Sequence, residues 1–355
     1  MFVPKWSSTI RTRRSGSAVV ASPERHRFVT GPIRLYSRMS LATQTLFRKI
    51  ARARRVMICG AGGGFDLFTG LPLYFYLKPR VEKVFLANLS FASLSETNGS
   101  RMTPALMKID ADTTGSEEYF PERTLCRWFR EQGEEHSVYC FQRTGVQTLK
   151  NAWEKLVEEL DLDCVVLADG GTDSLMRGDE SGLGTPEEDM ANIAAVHGLE
   201  ISQKVLCCLG FGVDTFDGVC HAQFLEAVAA LQKKGGFWGA FSLLPDMEEA
   251  QLYLQAVDYV NRALPGSPSV VNNSIASALE GEFGDVHRSW RTSGNKLFIS
   301  PLMSMYWAFD LDAVARRCLY LPELLESRSF TDVESAIQNY RTTNPSTRPS
   351  YSIPY

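Results

Sequence analysis

The sequence predicts an α/β protein: a doubly wound, mostly parallel sheet of about six or seven strands with helices on both faces, a Rossmann-like architecture. Three observations carry that expectation. Short β-rich runs alternate with amphipathic stretches along most of the chain. Runs such as "CVVLA" (164–168) and "VLCCL" (205–209) are apolar at every position, as strands buried on both faces require. Glycine and aspartate recur just past the ends of three of these runs, where a parallel sheet gathers its ligand-binding loops.

Taken in order, the first segment stands apart. Residues 1–36 hold seven Lys/Arg (5, 11, 13, 14, 25, 27 and 34) and a single acid, Glu24, among many Ser and Thr, and read as a mitochondrial presequence. "RLYS" (34–37) resembles a mitochondrial processing site with cleavage before Ser37; the alternative is a cytoplasmic protein started at Met39. The leader carries +6 and the whole chain −4, so the body carries −10. An acidic body argues against a nucleic-acid binder, which needs a basic face to neutralise phosphates. No apolar run reaches the roughly 18 to 20 residues of a membrane span.

Residues 37–335 then read as one α/β domain, and 336–355, rich in Pro and Ser, as a flexible tail or a strap lying on the surface. Strands are predicted over 55–59, 83–87, 138–141, 164–168, 204–209, 237–243 and 296–300, and helices over 151–160, 186–199, 219–233, 246–264 and 270–279. The run 299–311, with Tyr306 and Trp307, reads as core or interface. One helix start is explicit: Thr185 as cap, Pro186 at the first helical position and Glu188 completing a capping box. That box and the helix dipole account for Glu187, Glu188 and Asp189, which are left out of the expected site. The eight cysteines form no CxxC pair and no ligand-like spacing with histidine, so zinc and a disulfide framework are not expected.

The glycine loop "GAGGGFD" (60–66) follows a strand, so Gly60, Gly62, Gly63 and Gly64, with Asp66, are expected to bind a ligand through bare backbone and a helix start. It begins as a dinucleotide fingerprint but has Phe65 where Gly or Ala belongs, and Asn88, itself a ligand-binding candidate, where an acid would hold the ribose. NAD is therefore not the expected cofactor, and an NAD-dependent enzyme is the less favoured reading. "DGGTDSLMRGDE" (169–180) repeats the layout with Gly170, Gly171 and Thr172 as ligand-binding candidates, and "GFGVDTFDGVCH" (210–221) repeats it with Gly212.

Carboxylates beside glycine backbone suit a hard cation. Asp169, Asp173, Asp214 and Asp217 are the expected ligands of Mg²⁺, which would neutralise phosphate and polarise the bond being broken. Asp169, Asp173 and His221 are the catalytic candidates. His221 lies at a helix start, where the dipole keeps imidazole neutral and able to accept a proton. Asp285 and His287 are expected to close over the ligand as part of a lid.

The segments "GGGFD" (62–66), "DGGTDSLMRGDE" (169–180), "GFGVD" (210–214), "GVCH" (218–221) and "ISPLM" (299–303) together resemble an uncharacterised family defined by a domain of unknown function, number eleven fifty-two. The resemblance covers most of residues 55–320 and implies no established reaction. The residues themselves point to a metal-assisted transferase or hydrolase acting on a nucleotide or another phosphorylated small molecule. The alternative is a non-catalytic nucleotide-binding or scaffolding protein, and a homo-oligomer is compatible with either.

Overall fold

Backbone geometry follows the hydrophobic pattern closely in the middle of the chain and departs from it at the sheet edges. The computed structural model describes residues 45–345 and 347–353; the basic leader, its cleavage point and Met39 lie outside the described residues. In chain order, α1 (Thr45–Ile50) leads into β1 (Arg55–Gly60), the glycine loop, α2 (Asp66–Thr69) and α3 (Leu71–Leu77). β2 (Lys83–Ser90), the hairpin β3 (Ser100–Thr103) and β4 (Leu106–Asp110), α4 (Pro121–Glu131), β5 (Ser137–Gln142) and α5 (Val146–Leu160) follow. Then come β6 (Cys164–Asp169), α6 (Pro186–His197), β7 (Gln203–Cys208), α7 (His221–Lys233), β8 (Phe237–Ser242), α8 (Glu248–Ala263) and α9 (Val270–Leu279). β9 (Met305–Asp310), α10 (Leu311–Ala315), α11 (Leu321–Leu325) and α12 (Phe330–Thr343) complete the described chain.

The protein is a mixed α/β structure whose strands form one sheet in the order β3-β4-β5-β2-β1-β6-β7-β9-β8. The five central strands, β5-β2-β1-β6-β7, run parallel, and both flanks are antiparallel. The sheet therefore has nine strands, not six or seven. The difference lies at the edges: the β3–β4 hairpin extends one side, and β9, inside the run expected as core or interface, inserts between β7 and β8. The strand expected over 296–300 does not form. Ile299 makes only an isolated bridge to Gly284, Phe298 is exposed, and a 3₁₀ turn begins at Pro301.

Each central strand feeds two cores, because successive side chains point to opposite faces. Met57, Cys59, Val165 and Leu167 pack with α5, α6 and α7 on one face. Val56, Ile58, Cys164 and Val166 pack with α2, α3, α4 and α8 on the other. All eight cysteines are free and buried; all but Cys220 are small hydrophobes of these cores, with Cys59, Cys140, Cys164, Cys207 and Cys208 thiols pushed up by burial. Past Ser335 the chain continues as α12 to Thr343. It then lies along the surface as a strap, with Arg348 bonded to Asp179 at 2.8 Å, Glu180 at 2.9 Å and Glu226 at 2.5 Å.

Candidate functional site

The central order places β1 and β6 side by side while the chain leaves them in opposite directions, β2 lying beyond β1 and β7 beyond β6. The loop after β1 enters α2, which packs on one face; the loop after β6 leads to α6 on the other. A crevice opens at their carboxyl ends, the usual ligand position in an open parallel sheet.

The glycines of that crevice make room for carboxylates. A methyl group on Gly62 would stand 2.7 Å from Asp189 Oδ1, and one on Gly170 would stand 2.6 Å from Asp66 Oδ1. On Gly171 it would collide with Asp214 Oδ2, on Gly184 with Asp173 Oδ2, and on Gly60 with Asn88 Oδ1. Gly63 (φ 98°) and Gly64 (φ 60°) turn the loop through conformations that side chains disfavour. Three of the loop amides are occupied from within: Ala61 N–H donates to the Ala168 carbonyl at 2.8 Å, Gly64 N–H to Leu89 at 3.2 Å, and Gly62 N–H to Asp66 Oδ2 at 2.8 Å. The loop is therefore a carboxylate holder first, where the sequence suggests an anion cradle.

Asp66 opens α2, Asp169 ends β6, and Asp189 lies in the first turns of α6. One carboxylate oxygen from each falls within 4.8 Å of the others. Asp169 and Asp189 are 2% and 3% exposed, while Asp66 is half-buried and reaches the open cleft. Asp169 accepts from the Ser174 hydroxyl. Asp189 Oδ1 is buried and has no hydrogen-bond partner. Burial, then the charges of Asp173 and Asp66, hold Asp169 well above the usual carboxylate range; burial, then Asp173, Asp169 and Asp66, do the same to Asp189. Burial and Asp173 push Asp66 up to about 7 against the pull of the Gly62 amide. Among the described residues, none of the three forms an ion pair with a basic side chain, and the main charges acting on them are one another and Asp173. At this spacing each ionised pair repels by roughly 3 to 4 kcal/mol at an effective dielectric of about 20. Full ionisation needs a cation; without one, the cluster keeps protons.

The expected metal set shares only Asp169 with this group. Asp173 accepts from the Thr185 amide at 2.9 Å and its hydroxyl at 3.2 Å, which fixes the entry to α6. Thr185 thus spends its side chain on Asp173, and the expected capping box is absent: Thr185 makes no side-chain cap, and Glu188 pairs with Arg143 at 3.1 Å. An ionisable carboxylate is the stronger acceptor. Asp214 accepts from the Thr172 amide at 2.6 Å and pins the loop after β6; burial, Asp173 and Asp169 raise its pKa strongly. Asp217 is exposed on the cleft wall.

Among the expected ligand-binding residues, Gly63, Gly64 and Asp66 line the cleft. Gly60, Gly170, Gly171 and Thr172 are buried behind it, and Gly62 packs on Asp189. Asn88 is fully buried and donates to the Gly64 carbonyl at 2.8 Å and to Glu122 at 2.7 Å, supporting the loop from beneath. His221 does not join the carboxylates: it stacks on Phe211 at 4.9 Å, lies 3.0 Å from the Thr215 hydroxyl, and lines a separate groove with Cys220 and Tyr351. Gly212 is in contact with it, and burial lowers its pKa. Asp285 and His287 pair with each other at 3.1 Å and are not cleft-lining; Arg291 and Lys296 of the same excursion are.

Sequence reasoning missed Asp189, Asn192 and Glu122. Asp189, Asn192, Ile193 and Val196 form an i, i+3, i+4, i+7 stripe on α6, the spacing of a buried face. Two polar members in that stripe were the available signal. Asn192 donates to the Gly60 and Ala61 carbonyls, each at 3.1 Å, and accepts from Trp153 at 2.9 Å. Glu122 opens α4 beneath the loop, with burial pushing it up to about 7; no local pattern marks it.

The cleft itself has a volume of about 800 Å³ and is lined by Asp66, Asp214 and Asp217, by Arg291 and Lys296 from the 280–300 excursion, and by Phe216 and Tyr119.

The chain belongs to the family described as a protein of unknown function, DUF1152, whose model matches residues 57–344. No curated protein and no solved structure matches it.

Proposed function

We propose that this family member is a metal-dependent hydrolase or transferase acting on a phosphorylated small molecule, with Mg²⁺ held by Asp66, Asp169 and Asp189. The observation that carries the reading is the convergence of those three carboxylates within 4.8 Å, including an unpartnered buried oxygen on Asp189. Oxygens bound to one Mg²⁺ at 2.0–2.1 Å lie about 3 to 4 Å apart, so the cluster closes on an ion with little movement. The order of the five parallel strands supports the doubly wound, Rossmann-like reading, with the ligand at the β1/β6 switch.

The bound ion would neutralise phosphate and polarise the reacting bond. Asp66 is the cluster member that faces the cleft, so it presents the ion to the ligand. Asp173 and Asp214 are positioning residues: through Thr185 and Thr172 they hold the α6 entry and the β6 loop, and with them Asp189 and Asp169. Asn88 is committed to Gly64 and Glu122, which weighs against a ribose-binding role and against NAD.

The test is a panel of nucleotides and sugar phosphates offered to the full chain with and without Mg²⁺. Turnover that requires Mg²⁺ and is abolished by Asp169→Asn and Asp189→Asn, with the fold retained by circular dichroism, is the expected result. Metal-independent turnover, or full activity in both variants, would overturn the assignment. Ligand stabilisation without product would instead support a sensing role.

A further inference from the structure

The interior occupation of the glycine-loop amides leaves a question about the phosphate. Ala61, Gly62 and Gly64 N–H groups are spent on Ala168, Asp66 and Leu89, so these amides are not offered to a phosphate in the crevice, and full positive charge has to come from side chains. Arg291 and Lys296 are the basic side chains among the residues lining the cleft, and both are exposed. Arg291 donates one N–H to the Pro268 carbonyl at 3.1 Å, which anchors the arm, and makes no ion pair among the described residues. Asp66, Tyr119, Arg291 and Lys296 line the same cleft, so acidic and basic groups are offered to one ligand.

The same wall that carries Asp214 and Asp217 also presents Phe216, which is 70% exposed. Phe91, at the glycine loop, is covered on one side by the Arg143 guanidinium at 5.3 Å and packs on Gly63 and Gly64. An exposed aromatic ring beside two cations and a carboxylate cluster fits a ligand with a planar ring at one end and phosphates at the other.

Resting on the metal-assisted reading above, we propose that the substrate class is a nucleoside phosphate. Its phosphates lie between the Asp66–Asp169–Asp189 metal and Arg291 with Lys296, and its base stacks on Phe216. The 280–300 excursion is then the phosphate-recognition arm of the site.

Calorimetric titration of the full chain with ADP, inorganic pyrophosphate and adenosine, in Mg²⁺, tests the assignment. Wild-type protein binds ADP and pyrophosphate, and ADP at least about tenfold more tightly than adenosine. The R291A/K296A double variant weakens both phosphate ligands by about tenfold or more. Phe216→Ala weakens ADP by about tenfold and leaves pyrophosphate unchanged, the magnitude of one lost stacking contact. ADP binding no tighter than adenosine, wild-type pyrophosphate affinity in the double variant, or wild-type ADP affinity in Phe216→Ala would each overturn the proposal. Mg²⁺ titration without nucleotide separates this from the parent reading: wild-type protein that takes up no Mg²⁺ defeats the metal assignment. Pyrophosphate titration in EDTA then judges the arm by itself, loss of binding in the double variant supporting it and retention overturning it.

Discussion

The two ends of the β1–β6 pair are built to opposite rules. At the amino end, Asp163 accepts from the backbone amides of Arg54 at 2.9 Å and Arg55 at 3.0 Å. The Arg55 guanidinium meets Glu82 at 2.9 Å, and its Nε donates to the Leu160 carbonyl at 2.6 Å. Acid, amide and cation are matched there, and the groups sit near solvent. At the carboxyl end, three carboxylates converge, two in the interior and Asp66 at the cleft, with no ion pair to a basic side chain among the described residues and one oxygen without a partner. Leaving buried charge uncompensated costs several kcal/mol on general grounds, so an arrangement of this kind marks a place that serves something other than the fold. The difference between the ends separates structural carboxylates from those kept for a ligand.

The largest effect expected from breaking that contrast is at Asp189. Asp189→Asn removes a ligand and a like charge at once, so Mg²⁺ ceases to stabilise the protein, while the metal-free form at pH 8 gains about 1 to 3 kcal/mol in denaturant unfolding. Loss of stability in the metal-free variant would place Asp189 among the structural acids.

The pH dependence sharpens the same point. Asp66 has an ordinary value of 3.8 and is raised to about 7 in the folded protein, so the native state holds extra protons between those values. Its contribution is fully present below pH 3.8 and is lost as pH rises through about 7. Metal-free protein is therefore expected to lose stability between about pH 4 and 7, and saturating Mg²⁺ to flatten the decline. A profile unchanged by Mg²⁺ would contradict this.

Gly62→Ala comes next. The added methyl group reaches Asp189 Oδ1, and displacing that carboxylate weakens Mg²⁺ binding by about tenfold and costs about 1 to 3 kcal/mol. The smallest effect belongs to the other end: Asp163→Asn costs about 1 kcal/mol by weakening the amide bonds to Arg54 and Arg55 and leaves Mg²⁺ affinity unchanged. A change in metal affinity there would dissolve the comparison.

Much of the central sheet was legible because its strands are continuous apolar runs, whose burial on both faces is written in composition alone. The edges were not. β9 reads as a core segment because "MYWAFD" continues an apolar run that does not by itself separate a strand from other buried chain, and β3–β4 is a short hairpin with Pro104 between its strands. In the site, Asp66 and Asp169 announced themselves beside glycines. Asp189 did not, because a carboxylate in the first turns of a helix already has an explanation in the dipole. Only the neighbouring loops, distant in sequence, reveal that it meets Gly62, Asp66 and Asp169 behind the cleft. The partners of Asp173 and Asp214, Thr185 and Thr172, are tertiary contacts that spacing along the chain does not encode.

The most direct test of the central claim is calorimetric titration of Mg²⁺ into metal-free protein at about pH 7, in two buffers of different ionisation enthalpy, for wild type and Asp189→Asn. One ion per chain with release of protons, absent in the variant, is the predicted result, since the raised carboxylates must give up protons to bind metal. Binding without proton release, or equal binding by the variant, would contradict the assignment of Asp66, Asp169 and Asp189 as a metal site.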